Sequence, residues 1–112
     1  MLKVEYSPLV LEDLERISGY ITENWGKNVA NRILKKIISD IRRLEQYPLS
    51  GVSLDKIIDV RTEYRYLFSE KNYIFYYLEY DKIRIVRVLN EKQDYIHHLF
   101  GVSSELDEEY GE

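Results

Sequence analysis

Tyr73-Ile74-Phe75-Tyr76-Tyr77-Leu78 and, beyond Tyr80-Asp81-Lys82, Ile83-Arg84-Ile85-Val86-Arg87-Val88-Leu89 are the stretch on which the fold turns. Successive side chains of a strand point to opposite faces. In the first run both alternating sets are apolar or aromatic, and in the second both carry aliphatic residues. Two strands with a short connection make a hairpin, here in a sheet that is apolar on both sides. Working backward, Ser69-Glu70-Lys71-Asn72 is another short connection, and Tyr64 to Ser69 alternates as a strand before it. Ile57 to Arg61 is a further candidate strand. The second half therefore predicts an antiparallel meander of three to four strands.

The first half has a different period. Lys3-Val4-Glu5-Tyr6 alternates as a short strand, and Ser7-Pro8 then offers an N-cap followed by a proline tolerated at the first helical position. Val10, Leu14, Ile17 and Ile21 form one helical stripe, with Glu12, Asp13 and Glu15 toward the N-terminal end of the dipole and Asn24-Trp25-Gly26 as the stop. Ala30, Ile33, Leu34, Ile37, Ile38, Ile41 and Leu44 form a second stripe, with Arg32, Lys35, Lys36, Arg42 and Arg43 on the opposite side. The short link predicts an antiparallel helical hairpin, ended by Pro48 and Ser50-Gly51. Tyr95, Ile96, Leu99 and Phe100 are helically spaced, with Gly101 as a C-cap, so a short last helix closes the domain. The expected class is α+β: β-α-α, then the meander, in two layers.

At 112 residues the chain fits one domain. Without cysteine it has no disulfide framework and no cysteine nucleophile, which fits a reducing, cytoplasmic setting. No apolar run is long enough to span a membrane, and the charges at Lys3 and Glu5 read against a signal peptide. The net charge of −4 is unevenly placed. Glu105, Asp107, Glu108, Glu109 and Glu112 face no Lys or Arg in the last twelve residues, and the rest of the chain is nearly neutral. The expected division is a domain over 1–101 and an acidic, disordered tail over 102–112. A nearly neutral body does not resemble a strong nucleic-acid binder.

Two helices cover only one face of the sheet. The other apolar face needs a second cover, and a partner protein is favoured over the C-terminal helix or self-association. Tyr64, Tyr66, Tyr73, Tyr77, Arg84 and Arg87 are the candidate partner contacts, since Tyr and Arg anchor interfaces.

Several segments, in this order and at these spacings, carry a resemblance. They are Tyr6-Ser7-Pro8 with Leu11-Glu12-Asp13-Leu14, Asn31-Arg32-Ile33, and Leu44-Glu45-Gln46-Tyr47-Pro48. Tyr64-Arg65-Tyr66-Leu67, Asn72 to Tyr76, Ile83 to Asn90 and Gln93-Asp94-Tyr95 complete the set. Residues 1 to about 101 resemble the RelE/ParE superfamily of bacterial toxins, the toxic halves of type II toxin–antitoxin modules and plasmid stabilisation systems. The resemblance implies a RelE-like fold with first and last strands paired, and a small antitoxin wrapped around the toxin. Two activities follow from it: ParE-like inhibition of DNA gyrase, or RelE-like, ribosome-dependent cleavage of mRNA. The latter would be a metal-independent endoribonuclease in which cationic and acid–base side chains activate a 2′-hydroxyl and stabilise the phosphorane.

For that nuclease the resemblance points to Arg65 and Lys92, with Tyr95 or His98 in the last role. Lys92 lacks the bidentate geometry of arginine, and Gln93 and Asp94 replace positive charge. The incomplete pocket and near-neutral body favour the gyrase reading. Arg65 reads equally as a phosphate contact and as a structural ion-pair partner. Arg87, in phase with Ile83 and Ile85, reads as an ion pair or partner contact. His97-His98 reads as a surface pair rather than a metal site, the basic helix as a solvated face, and Trp25 as a cap on the helical hairpin. No cofactor or metal is implied. The expected partners are an antitoxin and either gyrase or the ribosome with its mRNA, with homodimer and toxin–antitoxin hetero-oligomer both open. A decayed, non-toxic antitoxin-binding module is the third alternative.

Overall fold

A computed structural model describes residues 2–58 and 61–101. Strand β1 (Lys3–Tyr6) leads into helix α1 (Pro8–Trp25) and helix α2 (Lys27–Arg42), which ends in one 3-10 turn over Arg43–Glu45. A two-residue strand β2 (Val52–Ser53) and a single helical turn α3 (Asp55–Ile58) follow. Strands β3 (Arg65–Ser69), β4 (Asn72–Leu78) and β5 (Lys82–Asn90) form the meander, and α4 (Tyr95–Phe100) closes it. The sheet order is β1-β5-β4-β3-β2, with β1 parallel to β5 and the other pairs antiparallel. The expected pairing of first and last strands is therefore present.

Ile57 and Ile58 correct one expectation: they lie in α3, not in a strand, and Asp59 and Val60 fall outside the described residues. Two adjacent isoleucines carry no period of their own, so neighbours decided the outcome. The tail over 102–112 also lies outside the described residues.

The helical hairpin covers one face. Val10, Ile37, Ile41 and Leu44 meet Ile74, Tyr76, Ile83, Ile85 and Val88 in a fully buried core. Each such aliphatic side chain contributes about 1.5–3 kcal/mol on leaving water. Gly26 joins the helices at φ 93°, a left-handed value suited to glycine, and its N–H donates to the Thr22 carbonyl. Ser7 does stand at the N-cap of α1, but its hydroxyl does not cap the helix. Its amide donates to the Ile85 carbonyl and its Oγ to the Val86 carbonyl, tying the start of α1 to β5. Glu45 fixes the other edge by accepting the Val4 amide at 3.0 Å.

Glu70 and Lys71 turn β3 into β4 at φ 50° and 66°, between the paired Ser69 and Asn72. This two-residue hairpin asks for Asn-Gly, yet both positions carry ordinary side chains in the left-handed region. Lys71→Gly should therefore stabilise the fold by about 0.5–1 kcal/mol, the relief of the left-handed cost exceeding the added chain entropy. A thermal melt would read this as a higher midpoint; an unchanged or lower midpoint contradicts it.

The register slips in the middle of the β4–β5 pair. Phe75 faces Arg87 while Tyr76 faces Ile85, so Val86 is left without a partner. Such a bulge inverts the side-chain alternation beyond it. Val86 and Leu89 consequently join one apolar cluster and Val88 the other. Arg87 is thus out of phase with Ile83 and Ile85, correcting the uninterrupted alternation expected for β5.

Candidate functional site

For the nuclease alternative the resemblance points to Arg65 and Lys92, with Tyr95 or His98, and the fold places Arg65 and Lys92 at opposite ends of the sheet. Arg65 opens β3 opposite Ser53 and Tyr76. Its Nη2 donates to the carbonyls of Gly51 at 2.9 Å and Leu49 at 3.3 Å. Its buried Nε makes no hydrogen bond among the described residues. Tyr76 completes the attachment, accepting the Gly51 amide and donating to the Pro48 carbonyl, each at 2.9 Å. Burial raises the Tyr76 phenol pKa, opposed by the Gly51 amide and the Arg65 charge. Arg65 and Tyr76 together staple the 48–51 loop to the sheet.

Lys92 lies at the other end. Arg65 is level with Tyr76 and Ile85, whereas Asn90 is level with Asn72. Four residues of rise and two strand spacings separate Arg65 from Asn90 by about 16 Å, and Lys92 lies beyond Asn90. Lys92 is exposed, and its amide donates to Asn90 Oδ1. Gln93 and Asp94 have local roles: Gln93 Oε1 accepts the Asn90 amide, and Asp94 caps α4 by accepting the His97 amide. Their side chains close a turn and start a helix.

Tyr95 and His98 sit on α4. The Tyr95 ring packs 5.4 Å from Phe75 and 5.7 Å from Tyr73. Burial, then the Tyr73, Tyr66 and Asp94 groups, push its phenol pKa up. Burial, then the charges of Arg87, His97 and Arg16, lower the pKa of His98 against the opposing pull of Asp13. His97 and His98 stack edge-on at 5.8 Å. Among the described residues no group of three or more His, Cys, Asp or Glu is placed to hold a metal ion.

The second face of the sheet carries an aromatic layer. Tyr66 meets Tyr73 at 5.3 Å, Tyr73 meets Phe68 at 5.1 Å, and Tyr64 meets Tyr77 at 5.9 Å. Part of this layer is covered from within. Tyr95 and Leu99 of α4 pack on the buried Phe75, Leu89 and Leu54, and Phe100 lies 5.7 Å from Tyr64. Six residues of α4 cannot shield five strands. Phe68 remains 52% exposed and Val52 43% exposed, leaving an apolar ledge on the β2–β3 side beside Tyr66 and Tyr73.

The two arginines of the candidate partner set are internally paired. Arg84 sits between Glu5 at 2.9 Å and Glu79 at 3.1 Å. Arg87 reaches across to Asp13, its Nε and Nη2 each 2.8 Å from a carboxylate oxygen. Asp13 also accepts the Val88 amide at 2.9 Å and pairs with Arg16 at 3.1 Å. It is 1% exposed. Burial works to raise its pKa, but Arg87, the Val88 amide and Arg16 hold it below the usual carboxylate range. Asp13 lies beyond the first helical turn, so this binding to the β5 bulge, rather than the α1 dipole, accounts for the acid there. The signal was present in the sequence: Asp13 stands three residues from Val10 and four from Ile17, inside the apolar stripe.

On the basic face of α2, Lys36 and Arg43 pair with Asp40 and Arg42 with Glu45. Trp25 does not cap the helical hairpin: it is 61% exposed and packs edge-on against Tyr20 at 5.9 Å.

Residues 4–95 match the family model of the ParE toxin of type II toxin–antitoxin systems, parDE. No curated protein sequence matches the chain. Among solved structures, the chromosomal ParDE TA system from P. aeruginosa superposes with a TM-score of 0.70 at 17% identity, covering 80% of this chain and 96% of that one. The YoeB dimer from Staphylococcus aureus follows at 0.53 and 20% identity, with 79% and 94% covered. At these identities the likeness is one of fold. Among the described residues no helix is long and apolar enough to cross a membrane.

Proposed function

Because the chain belongs to the ParE toxin family of type II toxin–antitoxin systems, we propose that it arrests growth by binding DNA gyrase, and that a cognate antitoxin neutralises it. The observation carrying a contact mechanism is the separation of Arg65 from Lys92. Cleavage of RNA needs a base, an acid and phosphorane-stabilising charge within hydrogen-bond reach of one phosphodiester. Arg65 is instead engaged with loop carbonyls, while Lys92 stands at the far end of the sheet. The ledge of Phe68, Val52, Tyr66 and Tyr73 supports docking of a protein partner, and the TA system of the P. aeruginosa relative supports an antitoxin as that partner. The toxin unit in this reading spans 1–101, with 102–112 as an appended acidic segment.

Expression without an antitoxin should arrest growth with chromosome breaks and DNA-damage signalling. Codon-phased mRNA cuts would replace this reading with a ribosome-dependent nuclease, and absence of arrest with a decayed binding module. A Tyr95→Phe/His98→Ala double variant should arrest growth as the parent does. Phenylalanine keeps the ring that packs on Phe75 and Tyr73, and His98 is exposed. Loss of arrest in a variant of unchanged stability would contradict the contact mechanism.

A further inference from the structure

A groove of about 840 Å³ opens between the tip of the helical hairpin and the turns that precede β4 and follow β5. Its floor is aliphatic: Ile17 and Ile21 from α1, Val29 and Ile33 from α2. Its rim carries Arg16, Arg32, Lys71 and Lys92 against Glu70 and Glu91, an excess of two positive charges. Of those four cations only Arg16 has an ion pair among the described residues. Tyr20 and Trp25 stand exposed on the same rim. An apolar floor with unpaired cations fits a peptide that is both apolar and acidic.

The chain itself contains such a peptide. Val102, Leu106 and Tyr110 recur every fourth residue, and four of the six positions between them are acidic: Glu105, Asp107, Glu108 and Glu109. The attachment point is close. Gln93 lines the groove, and the six residues of α4 that follow Asp94 rise only about 9 Å before Gly101. Eleven residues beyond Gly101 can extend about 37 Å, ample to return. A tethered segment acts at an effective concentration in the millimolar range, which favours this occupant over the same segment of a second copy.

We propose that residues 102–112 dock intramolecularly in this groove, with Val102, Leu106 and Tyr110 on the aliphatic floor and the carboxylates against the rim cations. Any acidic, amphipathic segment of another protein must then displace the tail to use this surface.

Trp25, the only tryptophan of the chain, lies at the mouth of the groove and reports on its occupancy. Acrylamide quenching of its fluorescence should be weak in the full chain at low ionic strength. Leu106→Ser/Tyr110→Ser should give a higher quenching constant and a red-shifted emission, with the far-UV spectrum unchanged. Salt at 1 M, where the Debye length falls to about 3 Å, should raise quenching in the parent. Equal quenching of parent and double variant would overturn the proposal. So would protection that grows with protein concentration, which would place a second copy's tail in the groove.

Discussion

Asp13→Ala should destabilise the protein by about 3–5 kcal/mol, the cost of removing one partner from a buried ion pair. The carboxylate is 1% exposed, and it bonds two Arg87 nitrogens, the Val88 amide and Arg16. Alanine leaves the largely buried Arg87 charge and the Val88 amide without those bonds. Arg16, half exposed, contributes little. Because β1 pairs only with residues up to Ile85, Asp13 serves beyond that point as the acceptor a neighbouring strand would otherwise supply. The substitution thus loosens the bulge, α1 and the ladder together. Urea unfolding would measure the effect, and a loss under 1 kcal/mol would mean the bonds contribute nothing net.

The same residue fixes an acid response. Its folded-state pKa is depressed from an ordinary value of 3.8. Its contribution is therefore complete above about pH 5 and drains away as pH falls through the unfolded and then the folded pKa. Asp40 adds to this: burial opposes its ionisation, but Lys36, Ser69 and Arg43 lower its pKa overall. The stability gap between the parent and Asp13→Asn should narrow on acidification in that window. A gap constant from pH 7 to pH 3 would contradict the assignment.

Gly51→Ala ranks next, at up to about 3 kcal/mol by overpacking. A Cβ there would collide with the Tyr76 hydroxyl, and it would lie 2.7 Å from Tyr76 Cε1 and 2.8 Å from the Tyr66 carbonyl. Neither the ring nor the backbone of a buried strand can yield cheaply. Tyr76→Phe tests the same staple from the other side. It leaves the Gly51 amide without its acceptor, at about 1–3 kcal/mol. The two substitutions share one contact, so the double variant should lose less than the sum. Strict additivity in urea unfolding would show that loop and ring act independently.

Much of this architecture was legible in the residues. The Ala30-to-Leu44 stripe and the two alternating runs around Lys82 carry their own periods, so α2, β4 and β5 could be read directly. Strand β2 could not, because two residues become a strand only through the partners Tyr66 and Arg65. The bulge at Val86 depends on how β4 seats, and it reversed the face assigned to Arg87. The Asp13–Arg87 bond spans 74 positions and has no local signature beyond an acid in an apolar stripe. Arg65 reads equally as a phosphate contact and as an ion-pair partner, while the acceptors it finds within the fold are the Leu49 and Gly51 carbonyls, which no local pattern announces. The spacing of Tyr95 and Leu99 revealed an amphipathic α4, but which surface it covers was fixed only by packing against Phe75 and Leu89.

Supercoiling by purified gyrase in the presence of the purified full chain tests the contact mechanism most directly. Inhibition should be equal for the parent and for Tyr95→Phe/His98→Ala. Unimpeded supercoiling, together with ribosome-dependent mRNA cleavage that this double variant loses, would contradict it.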